Sequence, residues 1–146
     1  MNTRYEILPD IYIGHRETVK DKIANQICRT ESVIDADKLF SFINVARVYT
    51  DTEIKKNMQK YEVDKAVEVL VSKSKEINNN IKNNKSSLII CNSVDQYSPS
   101  IVLAYLMIYG KMRLLEGLKI IKSKKSNVFT SNLVLSTALN RIASRI

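Results

Sequence analysis

The chain contains no tryptophan, three glycines, two prolines, two cysteines and one histidine in 146 residues. Each scarcity excludes something. So few turn-forming residues argue against a loop-dominated all-β protein. The two cysteines, Cys28 and Cys91, have no metal-type spacing and read as free thiols of an intracellular protein. The single histidine, His15, follows Gly14 and reads as a surface loop residue, a poor basis for metal binding or acid–base work. No apolar run approaches the ~20 residues that cross a bilayer. The opening residues, MNTRYEILPD, lack the basic-then-apolar pattern of a signal peptide. The expectation is a cytoplasmic protein, with the nucleus also open, carrying no metal and no cofactor.

What is present is enough for one core. Hydrophobic residues make up 45% of the chain, and its length is that of one ordinary domain, so residues 1–146 are expected to form a single compact unit. The net charge of +8 suits an anionic partner such as nucleic acid, a phosphoprotein or an acidic membrane face. Solvated helix surfaces account for it equally well.

Periodicity predicts strands alternating with helices. Residues 5–13 read as two short strands around a Pro9-Asp10 turn, closed by Gly14. Residues 18–27 read as a helix and 32–34 as a strand. Residues 39–45 (LFSFINV) fit either a strand or a helix, and 47–51 a loop. Residues 51–80 carry the longest helical stripe, with Asp51 or Thr52 as cap, and 78–87 read as a polar loop. Residues 88–90 are apolar on both faces, as in a central buried strand. Ser98 as N-cap and Pro99 at the first helical position open a helix with Ile101, Val102, Ala104, Tyr105 and Ile108 on its buried face and Gly110 as its C-terminal stop. A helix over 114–121 and a last one from Thr130 or Ser131 through Arg145 complete an α/β arrangement, a central mixed sheet flanked by helices.

Residues 88–107 read LIICNSVDQYSPSIVLAYLM. A buried strand delivers Cys91 into a loop, and the loop runs into a helix N-terminus. This stretch resembles the phosphate-binding loop of the dual-specificity phosphatases, in the cysteine-dependent protein tyrosine phosphatase superfamily. That loop runs His-Cys, five residues, Arg, then Ser or Thr, and many members continue with Pro and a helix similar to AYLM. LPDIYIG over residues 8–14 looks like the family's opening strand motif, and VFTSNL over 128–133 like its closing segment. The resemblance covers nearly the whole chain and implies the protein tyrosine phosphatase-like fold of dual-specificity type.

The same resemblance implies a damaged active site. Cys91 stands at the nucleophile position and Ser98 at the hydroxyl that steadies the thiolate. Tyr97 stands where the arginine clamp belongs, with neither its charge nor its bidentate fork. Losing such a clamp typically costs ~10²–10³-fold or more in rate. Ile90 replaces the preceding histidine, and Val94 replaces a glycine, which disfavours any positive-φ backbone there. Asp95 puts a negative charge in the anion site, repelling phosphate and disfavouring a thiolate. Asn92, Ser93 and Gln96 complete the degenerate loop. Arg47 falls at the general-acid position; Asp51 can substitute if the loop is shifted, but serving as a helix cap is favoured for it. Cys91 is read as packing at the end of a buried strand in preference to a reactive thiol, Cys28 likewise as packing, and Tyr97 either as filling the phosphate pocket or as exposed.

The expected role is therefore a catalytically inactive pseudophosphatase that binds a protein partner, as scaffold or competitor. Two alternatives stay open. One is RNA or other polyanion binding through a basic face of Lys111, Arg113, Lys119, Lys122, Lys124 and Lys125, with Arg141 and Arg145 nearby. The other is residual phosphatase activity on phosphoprotein or RNA 5′-phosphates. A homodimer is also open.

Overall fold

A computed structural model describes residues 4–15, 31–43, 52–91, 97–125 and 133–145. The elements, in chain order, are β1 (Arg4–Leu8), β2 (Ile11–Gly14), β3 (Glu31–Asp35), α1 (Ala36–Leu39), α2 (Thr52–Lys82), β4 (Ser86–Ile90), α3 (Tyr97–Ile108), α4 (Leu114–Lys124) and α5 (Leu133–Arg145). The four strands make one open mixed sheet in the order β1-β2-β4-β3. β1 and β2 form the expected antiparallel hairpin, with Asp10 in the turn at φ 68°. Aspartate tolerates that left-handed conformation better than most side chains. The expected 18–27 helix and 47–51 loop lie outside the described residues, as does Cys28.

β4 is the central strand. It pairs in parallel with β2 on one side, Ile13 opposite Ile89, and with β3 on the other, Ile34 opposite Ile89. All five of its residues are buried, as expected for a strand covered on both faces. Its start is fastened by polar bonds. The Ser87 amide donates to the Asp10 carbonyl at 2.8 Å, the Ser86 hydroxyl to the Asp10 carboxylate at 3.0 Å, and the Asn80 side-chain amide to the Ser87 hydroxyl at 2.9 Å.

Residues 39–43 do not form a strand. Asp35, the last residue of β3, caps a short helix by accepting from the Lys38 amide at 3.3 Å. The chain then turns, with Phe40 N–H donating to Ala36 and Ile43 N–H donating to Phe40. The turn sends the Phe40 ring into the core, where it is fully buried, and burying a side chain of this kind is worth roughly 1.5–3 kcal/mol.

The expected polar loop over 78–87 is helix in its first half and strand at its end, leaving only 83–85 as the connection. α2 continues through the asparagines to Lys82. It stops where Asn84 takes φ 58°, the Lys85 amide reaching back to Asn80 and the Asn84 amide to Ile81. That paired closure is a Schellman motif with asparagine in the left-handed position usually held by glycine. Val63, Ala66, Val67, Leu70 and Ile77 of α2 face the core, whereas Tyr61 and Val71 are exposed.

α3 is the hub: it packs against α1, α2, α4, α5, β2 and β4. It is buried nearly all round, and Tyr105 and Ile108, expected on its buried face, are among its least buried residues. Its end differs from expectation. Gly110 does not take a positive φ; Lys111 does, at 56°. A glycine is needed at 110 because a Cβ there would lie 2.5 Å from the Leu106 carbonyl oxygen. α4 packs closely on α3 at Gly117, where a Cβ would lie 2.7 Å from the Leu103 methyl. α5 packs on α2 and α3, and its Arg141 pairs with Asp64 of α2.

Candidate functional site

Cys91 lies just past the carboxyl end of β4, the place where open α/β sheets expose ligand-binding loops. Its amide donates to the Gly14 carbonyl at 3.2 Å, carrying the β2–β4 ladder one residue beyond the strand. The thiol is free and fully buried. His15, next after Gly14, is half-buried.

Ser98 is not an N-cap. α3 already includes Tyr97, and the Ser98 hydroxyl turns back to donate to the Cys91 sulfur at 3.0 Å. Ser98 is itself fully buried. The bond joins the end of β4 to the first turn of α3 directly. Pro99 fits in that first turn because the first four amide positions of a helix have no intrahelical acceptor.

Tyr97 neither stands free in solvent nor carries a charge. Its ring stacks on Phe40, with centroids 5.3 Å apart and planes 30° from parallel. Phe40 in turn meets Phe42 at 6.2 Å, and the Lys65 ammonium sits 4.8 Å from the centre of the Phe42 ring. Burial, then the electrostatic influence of Asp37 and Cys91, push the Tyr97 phenol above its usual range. Tyr97 therefore belongs to an aromatic row between α1 and α3, beside Cys91 and Asp37. The pairing of Phe40 with Tyr97 was missed in the sequence; the residues are far apart in the chain, and only the aromatic character of each was visible.

The structure brings together Cys91, Tyr97 and Ser98 of the predicted site residues. Asn92, Ser93, Val94, Asp95 and Gln96 lie outside the described residues, as do Arg47 and Asp51. Among the described residues no group of three or more histidines, cysteines or carboxylates could hold a metal ion, and no helix is long and apolar enough to cross a membrane.

The predicted basic face is divided. Lys111, Arg113, Lys119, Lys122 and Lys124 are exposed on or beside α4. Lys125 turns aside, its ammonium 5.2 Å from the centre of the Tyr5 ring. Arg141 is engaged with Asp64 and, with Arg145, lines an open groove of about 540 Å³ between α2 and α5 that also includes Val67, Glu68, Val71 and Ser72.

No protein-family model and no curated protein sequence matches the chain. Solved structures do. A mouse dual-specificity phosphatase complexed with zinc tungstate aligns with a TM-score of 0.71 at 12% identity, over 99% of this chain and 89% of that one. The human tyrosine phosphatase-like serine/threonine/tyrosine-interacting protein aligns with a TM-score of 0.67 at 13% identity, over 99% and 98%. Human DUSP28 aligns with a TM-score of 0.65 at 12% identity, over 97% and 93%. The fold of this chain is that of the dual-specificity phosphatases, over nearly its whole length.

Proposed function

We propose that this dual-specificity-phosphatase-like chain is catalytically inactive and acts by binding a protein partner, as a scaffold or as a competitor. The observation that carries the proposal is Tyr97. Where phosphoryl transfer needs a bidentate cation, this chain places a phenol ring stacked on Phe40, next to a cysteine with no exposed surface. A phenol supplies no positive charge to the developing transition state, and its ring is committed to packing. The replacements at Ile90, Val94 and Asp95 act in the same direction.

The partner-binding half of the proposal is supported by the retained architecture. The core, the β4–α3 junction and the Cys91–Ser98 bond keep the frame while the clamp is gone. One of the similar structures is itself described as phosphatase-like and as an interacting protein.

The test has two arms. Purified protein is assayed on an aryl phosphate, a phosphotyrosine peptide and an RNA 5′-phosphate, beside a Cys91→Ser control. The expected rate equals that of the control on all three; turnover abolished by Cys91→Ser overturns the inactive assignment. Affinity capture with native protein is expected to retain a specific protein equally well with Cys91→Ser, and failure to retain any would remove the partner role.

A further inference from the structure

α4 packs inward through its buried residues Gly117 and Ile121. At 3.6 residues per turn, Leu115, Lys119 and Lys122 fall along the opposite side, one above another. Leu115 is 67% exposed, the most exposed large apolar side chain among the described residues. Lys111 and Arg113 flank the stripe at its start and Lys124 at its end, all exposed. Among the described residues none of these cations makes an ion pair. The one carboxylate of the helix, Glu116, is used locally, accepting from the Arg113 amide at 3.4 Å.

From this arrangement we infer that the outer face of α4 docks on an anionic membrane surface, with the helix lying in the plane of the headgroups. The lysines meet lipid phosphates and carboxylates, and Leu115 enters the boundary with the acyl chains. Each lysine or arginine near an anionic lipid surface strengthens binding about fivefold, or about 1 kcal/mol, and an exposed leucine among them adds apolar area that water gives up on docking. A flat, negatively charged sheet meets the whole stripe at once. Single-stranded RNA is a poorer fit, because α4 has no aromatic ring on which a base could stack, and the nearby Tyr5 ring is covered by Lys125. The inference is independent of the Cys91 site.

The test is partitioning of the full chain onto vesicles of phosphatidylcholine, alone or with phosphatidylserine. Binding is expected only with phosphatidylserine, and is expected to weaken as salt rises. Lys119→Gln and Lys122→Gln are each expected to lower the partition coefficient about fivefold. Leu115→Ala is expected to lower it about threefold or more without changing the melting temperature. Arg141→Gln, which removes one charge already paired with Asp64, is the control and is expected to have little effect. The inference is overturned by no binding to phosphatidylserine vesicles at low salt. It is also overturned if Arg141→Gln costs as much as Lys119→Gln, which would make net charge the cause. Indifference to Leu115→Ala, with an RNA oligonucleotide bound as tightly as the vesicles, would assign the face to soluble polyanions instead.

Discussion

Ser98 donates its hydroxyl hydrogen to the sulfur of Cys91 across 3.0 Å, in a place where neither residue touches solvent. The bond ties the central strand to the hub helix. Ser98→Ala removes the donor from a buried acceptor and is expected to lower stability by about 1 kcal/mol in denaturant unfolding. Under the proposed inactive reading, a stability change alone is expected, with no effect on turnover.

Tyr97→Arg supplies the charge that the resembled loop carries and breaks the stack on Phe40. The ring pair is worth about 0.5–1.5 kcal/mol beyond its buried area, so the variant is expected to be less stable by at least that amount. Hydrolysis of an aryl phosphate is expected to stay at the Cys91→Ser background, because, on the proposed reading, Ile90 and Val94 differ from the histidine and glycine of the resembled loop. A melting curve and a rate assay on one preparation check both halves.

Burial raises the phenols of Tyr97 and Tyr105 above the ordinary tyrosine value of 10.0. Asp37 and Cys91 add to the shift at Tyr97. The native state thus holds these protons after the unfolded state has released them. Their contribution is complete below pH 10 and is lost as pH rises from there through the native values. Unfolding free energy measured from roughly pH 9 to 11 should decline, and Tyr97→Phe should make the decline shallower.

Gly110→Ala would place a Cβ 2.5 Å from the Leu106 carbonyl oxygen. Backbone cannot yield cheaply there, and a cost of about 1–3 kcal/mol is expected. Lys111→Gly relieves a left-handed residue at φ 56° and should be neutral or stabilise by up to about 1 kcal/mol. Equilibrium unfolding of the two neighbours separates crowding from backbone conformation.

The elements that sequence patterning revealed are those whose signal is local. The hairpin around Pro9-Asp10, the buried 88–90 run and the long α2 helix formed as expected, although Ser86 and Ser87 join β4 as well and Tyr61 and Val71 of the α2 stripe are exposed. Misjudged elements turned on competition between local signals. Residues 39–43 are apolar enough for a strand, but the Asp35 carboxylate begins a helix just before them. The asparagines after Ile77 read as loop, yet Asn84 is also a good helix terminator, so the helix runs on to meet it. Ser98 has the chemistry of a cap, and only its spatial nearness to Cys91 shows where the hydroxyl goes. At the candidate site, the mismatch between Tyr97 and the arginine of the resembled loop was visible in one dimension, whereas the ring that receives Tyr97 was not, because Phe40 follows β3, which is distant in the chain and beside β4 only in the folded sheet.

β4 carries a hydrogen-bonded neighbour along both edges and no exposed residue. Its amides can exchange with solvent only when the sheet comes apart, so their protection tracks the free energy of global unfolding. Cys91 hangs from the last rung of that ladder. The proposed partner, if it docks at the carboxyl end of β4, would therefore meet a floor as rigid as the molecule is stable. Any adjustment made on binding has to come from the partner or from the rim, since opening the floor would mean unfolding the protein.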